Sequence, residues 1–369
     1  MTAAESATSA RPWAAAARRL ADVPGYQPGR AAPSEIGKLS SNEAPLGASP
    51  RVRSTLQEAA RGVHRYPNEA DFSERLAAEV GVDPDRLLLT NGSDELCSLL
   101  GAAFLEPGDR VISSVPAYGI DLKVTALAAA TLFGVPLQSG GHDLAALATA
   151  SAGARLLWLP SPHNPTGAAI PVDGLRQLLD DVDPACFVIL DEAYRGYVAR
   201  DRRPDIGLLL AEHPNLVVQR TFSKDHALAG LRLGYGIAAA PIIDLLRRVR
   251  GPFSVNGPAL AAANAALDDH AWHDFSTAMV ITERERLSAL LTELEIDFVP
   301  SQANFVTARI PHATMAEQLS RHGLTVRPGE TLGLPGWVRI SIGTPQAMTE
   351  LRRLLRHLFS TPTDLRSSS

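Results

Sequence analysis

Seven short apolar runs are spaced along residues 86–238, and helical or turn patterns separate them. Most of the runs are apolar throughout, which is typical of strands that are buried on both faces of a sheet. Helices between consecutive strands require crossover connections, and these produce a mostly parallel sheet. The sequence therefore predicts an α/β fold with a mostly parallel seven-stranded sheet, in which one strand could still be antiparallel. The runs are Arg86–Thr90, Arg110–Ser114, Ala130–Leu137, Arg155–Pro160, Phe187–Leu190, Leu216–Arg220 and Leu233–Ala238.

The pattern changes after Gly251, where a charged helical stretch covers about Ala271–Leu294. Two short strand candidates, Asn304–Ala308 and Val338–Ile342, follow it, and a second helical pattern covers Gln346–Leu358. This order is typical of a smaller α+β domain. We therefore predict an N-terminal arm with part of the small domain (residues 1–52), a large domain (53–270) and a C-terminal small domain (271–369).

Composition limits the classes of function. The 369 residues carry a formal net charge of −5 and no strongly basic segment, so we expect neither nucleic-acid nor membrane binding. No run approaches the roughly 20 uncharged apolar residues of a spanning helix. The alanine-rich N-terminus is interrupted by charges such as Glu5 and Arg11, which argues against a signal peptide. Two distant cysteines, Cys97 and Cys186, favour a reduced, cytoplasmic protein.

Polar and aromatic residues directly follow five of the predicted strands. In an open α/β sheet, ligands bind outside the carboxyl ends of the strands. These residues include a lysine, a carboxylate, donors, aromatic rings and a possible anion cradle, which are the groups that a carbanion-stabilising pyridine cofactor requires. They lie in NGSDE (91–95), PAY (116–118), SPHNPTG (161–167), DEAY (191–194) and TFSK (221–224), with Arg232 before the last strand.

These motifs resemble those of fold-type I aminotransferases of class I/II, which depend on pyridoxal 5'-phosphate (PLP). The resemblance is strongest to the histidinol-phosphate aminotransferase branch. It implies an enzyme of amino-acid biosynthesis, with PLP in the large domain, that moves nitrogen from an L-amino acid or related amine to a 2-oxo acid. The resemblance also covers GYQPG (25–29), LSSNEAPLG (39–47), RYP (65–67), GPFSVNGPA (251–259), ANF (303–305) and VRISIG (338–343).

The resemblance implies a role for each residue around the cofactor ring. Lys224 forms the Schiff base and afterwards moves the proton of the substrate α-carbon. Asp191 pairs with the protonated pyridine nitrogen. Tyr194 and Asn164 hydrogen-bond the ring oxygen, and Tyr118 stacks on the ring.

The resemblance also implies how the cofactor phosphate is held. Ser223, Arg232 and the backbone of Ser93 and Asp94 bind it, and a helix N-terminus contributes its dipole. Tyr66 resembles the tyrosine that reaches the phosphate of the neighbouring subunit. A homodimer is therefore implied.

Three further residues are implied for the substrate. Arg339 resembles the arginine that binds the substrate α-carboxylate, for which a planar guanidinium suits bidentate contact. Asn42 and Tyr26 fall where this branch closes the substrate pocket. Alternatives remain open, because Arg339 and Arg232 could be structural ion-pair partners and Tyr118 could belong to the core.

Two places depart from the pattern of the branch. His163 precedes Asn164 where asparagine is common, which we interpret as a loop variation. Asp225 and His226 follow Lys224 where small or aromatic residues are usual. The simpler interpretation is an aspartate at a helix N-terminus and a surface histidine. The alternative is that the pair serves another reaction, because the fold hosts several PLP chemistries.

Three hypotheses follow. The first is an aminotransferase. The second is a β-eliminating lyase, decarboxylase or decarboxylating oxidative deaminase of a specialised biosynthetic pathway on the same scaffold. The third is a non-enzymatic regulator with an aminotransferase-like domain, which the retained Lys224 disfavours.

His270 and His273 have an i, i+3 spacing, but no further ligands cluster near them in the sequence, so no metal site is expected.

Overall fold

The computed structural model describes residues 13, 20, 21, 23, 37–117, 119–310 and 312–360. Within these ranges no helix is long and apolar enough to cross a membrane. The strands are β1 Lys38–Leu39, β2 Leu87–Thr90, β3 Arg110–Val115, β4 Thr131–Pro136, β5 Leu156–Pro160, β6 Phe187–Asp191, β7 Leu216–Thr221, β8 Gly234–Ile237, β9 Phe298–Val299, β10 Phe305–Ala308, β11 Thr325–Pro328 and β12 Val338–Ser341. The α-helices are α1 Pro50–Ala59, α2 Ala70–Val80, α3 Ser93–Phe104, α4 Ile120–Leu127, α5 Leu144–Ala150, α6 Val172–Asp181, α7 Ile206–Glu212, α8 Ala240–Val249, α9 Gly257–Asp268, α10 His270–Glu293, α11 His312–Arg321 and α12 Pro345–Ser360.

The larger sheet has seven strands in the order β2-β8-β7-β6-β5-β3-β4. Neighbouring strands from β7 to β4 in this order pair in parallel. Strand β8 is antiparallel to both of its neighbours, β2 and β7. The prediction of an α/β fold with a mostly parallel seven-stranded sheet is confirmed, and β8 is the antiparallel strand that the sequence left open.

Both faces of this sheet are covered by apolar side chains. On β5, Leu157 and Leu159 pack into one buried cluster, whereas Leu156 and Trp158 pack into a second cluster. All four side chains are buried. Successive side chains of a strand point to opposite faces, so coverage on both sides favours apolar residues at successive positions. Full burial of each leucine contributes about 1.5–3 kcal/mol before entropy is counted.

Local sequence signals explain where several helices begin. The Ser49 side chain accepts a hydrogen bond from the N–H of Val52 and caps α1, whose first residue is a proline. The Asn256 side chain caps α9 in the same way through the N–H of Ala259, at 2.8 Å. These caps satisfy N–H groups that have no partner within the helix.

The smaller sheet has five strands in the order β1-β11-β12-β10-β9. Strand β1 is parallel to β11, and the other pairs are antiparallel. The N-terminal part of the chain therefore supplies an edge strand to a sheet whose other strands lie between residues 298 and 341. The domain boundaries at residues 52 and 270 stay a prediction.

Candidate active site

The carboxyl ends of the parallel strands meet at one edge of the large sheet. In register, Pro160 of β5 pairs with Asp191 of β6, and Asp191 pairs with Gln219 of β7. Lys224 follows β7, and its Nζ lies 5.5 Å from the centre of the Tyr194 ring. The structure therefore brings Lys224, Asp191 and Tyr194 to the same edge of the sheet.

Asp191 lies at the end of β6 and is half-buried. Its Oδ1 accepts a hydrogen bond from the backbone N–H of Ala193 at 2.8 Å. Burial raises the pKa of this carboxyl to about 6, against the opposing effects of Ala193, the Gln219 side chain and the charge of Lys224. At neutral pH the carboxylate is ionised but poorly solvated, so a cationic partner would stabilise it.

The Tyr194 hydroxyl is fixed by a chain of contacts from the small sheet. It accepts a hydrogen bond from Asn42 Nδ2 at 3.0 Å, and its ring meets Phe305 edge-on with centres 5.2 Å apart. Asn42 has a left-handed backbone, φ 55°, and its Oδ1 accepts from Ser341 Oγ at 2.7 Å. The Asn42 carbonyl accepts from Asn304 Nδ2 at 3.0 Å. Because Tyr194 accepts from Asn42, its own O–H can still donate to a ligand.

Arg339 and Asn164 meet, although 175 residues separate them. The guanidinium donates to Asn164 Oδ1 at 2.7 Å and to the Ser40 carbonyl at 2.9 Å. It also lies 5.3 Å from the centre of the Phe305 ring. Both predicted residues are buried, so the candidate substrate arginine and the candidate cofactor asparagine form one buried contact near the Phe305 ring, which Tyr194 also meets.

The start of α3 forms a cradle that suits an anion. Gly92 precedes the helix with φ 72°, and no side chain caps the first N–H groups. A Cβ on Gly92 would lie 2.3 Å from a guanidinium nitrogen of Arg232, and the positive φ independently favours glycine at this position. Arg232 also lies 3.7 Å from the Asp94 carboxylate. Ser223, nearby on the β7 loop, accepts a hydrogen bond from Thr221 Oγ1 at 2.9 Å.

Three of the predicted site residues are tyrosines. Tyr26 and Tyr118 lie outside the described residues. Tyr66 is 79% exposed and stacks on Phe253, with ring centres 4.3 Å apart. Phe253 is itself 53% exposed, so the stacked rings form an apolar surface.

The structure also reveals a buried pair below Asp191 that sequence analysis missed. Cys97 Sγ donates to Gln219 Oε1 at 3.1 Å, and the Gln219 side chain hydrogen-bonds Asp191. Both side chains are almost completely buried. A glutamine directly after the apolar residues 216–218 of β7 was the available signal, because a buried amide needs hydrogen-bond partners.

The expectation of a helix directly after Lys224 is wrong. Residues 224–227 form a turn, in which the N–H of Ala227 donates to the Lys224 carbonyl at 3.0 Å. His226 is not a surface residue, since its ring packs against Phe222 and His273 with both pairs of centres 4.8 Å apart. His273 Nε2 lies 3.1 Å from Asp225 Oδ2. The partner of His273 is therefore Asp225, and the i, i+3 spacing of His270 and His273 did not indicate this contact.

His163, the other departure, is completely buried in its loop. Its Nδ1 lies 2.9 Å from Thr166 Oγ1, and its ring meets His142 edge-on at 4.9 Å. Burial lowers the pKa of His163 well below its usual value, so the ring is neutral. It packs inside the loop, as a loop variation would.

Comparisons with known proteins agree with this fold. The family model "Aminotransferase class I and II" matches residues 34–357. Histidinol-phosphate aminotransferase 1 of Dechloromonas aromatica is 39% identical over 312 residues, covering 84% of this chain and 86% of that protein. The histidinol-phosphate aminotransferase of Symbiobacterium thermophilum is 41% identical over 318 residues, covering 85% and 87%. The crystal structure of histidinol-phosphate aminotransferase from Sinorhizobium meliloti in complex with PLP has a TM-score of 0.82 at 27% identity, covering 88% and 91%.

The fold and site thus define a fold-type I PLP enzyme. The chain belongs to the class I and II aminotransferases. It is a PLP-dependent transaminase.

The described residues fit this cofactor. Asp191 is a poorly solvated carboxylate that a cationic ring nitrogen would stabilise. The cradle at Gly92 and Arg232 offers N–H groups and a guanidinium to a phosphate. Lys224 lies beside Tyr194 at the same edge of the sheet.

Proposed function

We propose that this aminotransferase moves an amino group from histidinol phosphate, or a closely related amine, to a 2-oxo acid. The contact of Arg339 with Asn164 is the observation that supports a 2-oxo acid as the amino acceptor. The names of the relatives at 35–41% identity support histidinol phosphate, or a related amine, as the amino donor. A 2-oxo acid carries a carboxylate, for which a buried guanidinium is the suited partner.

The chain's residues divide the catalytic work. Bound PLP supplies a ring that stabilises the negative charge left on the substrate α-carbon when its proton departs. Lys224 Nζ holds the cofactor and, once released, accepts and returns this proton. Asp191 stays ionised at neutral pH and keeps a proton on the ring nitrogen.

The remaining cofactor contacts orient the ring. The Tyr194 O–H and the side-chain N–H of Asn164 would donate to the ring oxygen, and the side-chain oxygen of Asn164 is already held by Arg339. Ser223, Arg232 and the first N–H groups of α3, at Ser93 and Asp94, would hold the phosphate. Asn42 would help to close the substrate pocket. Tyr118 and Tyr26 lie outside the described residues, and the resemblance assigns them to stacking on the ring and to closing the pocket.

Replacement of Arg339 with alanine tests the substrate assignment. We expect the KM for 2-oxo acids to rise by about 10–100-fold, because a charged hydrogen bond contributes about 1.5–3 kcal/mol. Arg339→Lys should give a smaller rise, because it keeps the charge but loses the fork of donors. Steady-state kinetics with a panel of 2-oxo acids measures both effects.

A matched control is Arg309→Ala, which removes an exposed arginine of the same domain. Thermal unfolding should accompany the kinetics, because Arg339 also holds the Ser40 carbonyl. Unchanged affinity of Arg339→Ala for every carboxylate substrate would refute the role. Formation of product without consumption of a 2-oxo acid would instead favour a lyase or decarboxylase.

Tyr66 is proposed to complete the active site of the neighbouring subunit in a homodimer. The exposed Tyr66–Phe253 stack supports such an interface. Mixing inactive Lys224→Ala subunits with Tyr66→Ala subunits should then restore activity, because one site of the mixed dimer contains both native residues. No restoration after exchange of subunits would place Tyr66 in its own subunit's site or outside any site.

A cytoplasmic location is part of the same proposal. The free thiols of Cys97 and Cys186 are both buried, and Cys97 has a hydrogen-bonding function below Asp191. Such thiols suit a reducing compartment.

A further inference from the structure

Asp225 follows Lys224 directly, but its carboxylate is turned towards helix α10. Asp225 Oδ2 lies 3.1 Å from His273 Nε2 and 3.9 Å from His226 Nε2. The Asp225 side chain is only 15% exposed, and that of His273 is 24% exposed. The contact joins residues that are 48 positions apart in the sequence.

The same carboxylate touches the turn that carries Tyr194. A Cβ on Gly196 would lie 2.1 Å from Asp225 Oδ2, so the turn can approach only because residue 196 is a glycine. Tyr194, two residues earlier, faces Lys224 Nζ. Residues 224 and 225 therefore contact the same turn, one through Tyr194 and the other through Gly196.

Helix α10 belongs to the core of the small sheet. Val280, Leu287 and Leu291 of this helix are buried in the apolar cluster that contains Phe305 and Ile340. The Asp225–His273 contact therefore links the loop of Lys224 with the element that supports β10 and β12.

The electrostatic surroundings favour an ion pair. Although burial opposes ionisation, His226 and His273 hold the pKa of Asp225 at about 2. The hydrogen bond to Asp225 raises the pKa of His273 against the effect of burial, whereas burial lowers the pKa of His226. Other titratable groups around Asp225 and His273 are Arg195, Tyr197, Arg203, Tyr235 and Asp274. The guanidiniums of Arg195 and Arg203 oppose a metal cation among these side chains.

We propose that Asp225 and His273 are positioning residues, which fix the backbone of Lys224 between the Tyr194 turn and helix α10. This inference rests on the proposed role of Lys224. In this arrangement Asp225 does not touch the substrate, and His273 acts on Lys224 through Asp225. The contact makes the orientation of Lys224 Nζ depend on the position of the small sheet.

The test is a pH titration of the visible absorbance of the cofactor-loaded protein. Asp225→Asn removes an anion beside the lysine, so the titration midpoint should fall. His273→Gln removes the imidazole that pairs with this anion, so the midpoint should rise, each shift being about half a pH unit or more. Opposite shifts of the titration midpoint in the two variants would distinguish a positioning pair from general loosening of the fold. Loosening would not move the midpoint in opposite directions.

Two further measurements test positioning itself. The induced circular dichroism of the bound cofactor should weaken in both variants, and kcat should fall about tenfold while the KM for the 2-oxo acid changes little. Asp225→Asn/His273→Gln should resemble Asp225→Asn alone, because the two effects share one contact. His270→Gln is the matched control, since His270 is exposed on the same helix.

The outcomes separate this inference from the proposed function. A wild-type protein whose cofactor does not attach to Lys224 overturns the proposed function. Wild-type midpoints and dichroism in both folded variants overturn only the positioning pair. A change of the spectrum on treatment with EDTA would assign the cluster to a metal ion and also overturn it. If Asp225→Asn does not fold, His273→Gln at its partly exposed position decides alone.

Discussion

Lys224→Ala is expected to lose the visible absorbance of the lysine-bound cofactor and to lower the transamination rate by at least about 10³-fold. The loss is large because one amine both holds the cofactor and moves the substrate proton. Absorbance spectra and steady-state rates measure the two effects. Lys123→Ala is the matched control, because this lysine is exposed on α4 and should leave spectrum and rate unchanged.

The small number of lysines allows a direct identification of the attachment site. The chain contains Lys38, Lys123 and Lys224 only. After reduction with borohydride, the modified lysine should resist trypsin, so that residues 221–232 remain one peptide carrying the cofactor mass. Recovery of the cofactor on either of the other lysines would contradict the assignment.

The strands of the large sheet could be predicted because they are covered on both faces. Continuous burial makes runs such as Leu156–Pro160 apolar at every position, and such runs are visible in the sequence. Strands β1 and β9 have two residues each. Such short segments show no periodicity, and only tertiary contacts select them. The sequence therefore does not indicate β1 and β9, and strand β11 and helix α11 were also not predicted.

The site could be predicted as far as strand order determines it. Residues that follow parallel strands must share one edge of the sheet, which places Asp191 and Lys224 together. Contacts across the chain could not be found in this way. Gln219 with Cys97, and Asp225 with His273, are 122 and 48 residues apart, and no local pattern relates such partners.

Asp191→Asn is expected to have opposite effects on function and on stability. Activity should fall at least about 10²-fold, because the ring nitrogen loses the anion that keeps it protonated. The cofactor-free protein, however, should become more stable at neutral pH. The asparagine side chain would not carry the charge that burial destabilises, and its carbonyl oxygen can still accept the N–H of Ala193.

The sign and size of the stability change follow from the pKa of Asp191. Folding raises this pKa from 3.8 to about 6, so stability is lost as pH rises between these values. The full cost above the higher value is at most about 3 kcal/mol, and solvent around the half-buried carboxyl reduces it. In the absence of cofactor, Asp191→Asn should therefore unfold at a higher temperature than the wild-type protein at about pH 7.5. The difference between the two unfolding temperatures should be smaller at about pH 4. Asp244→Asn, an exposed control on α8, should show no such dependence. Equal stability at both pH values would mean that Asp191 is well solvated without the cofactor, and that its carboxylate does not depend on a cationic ring.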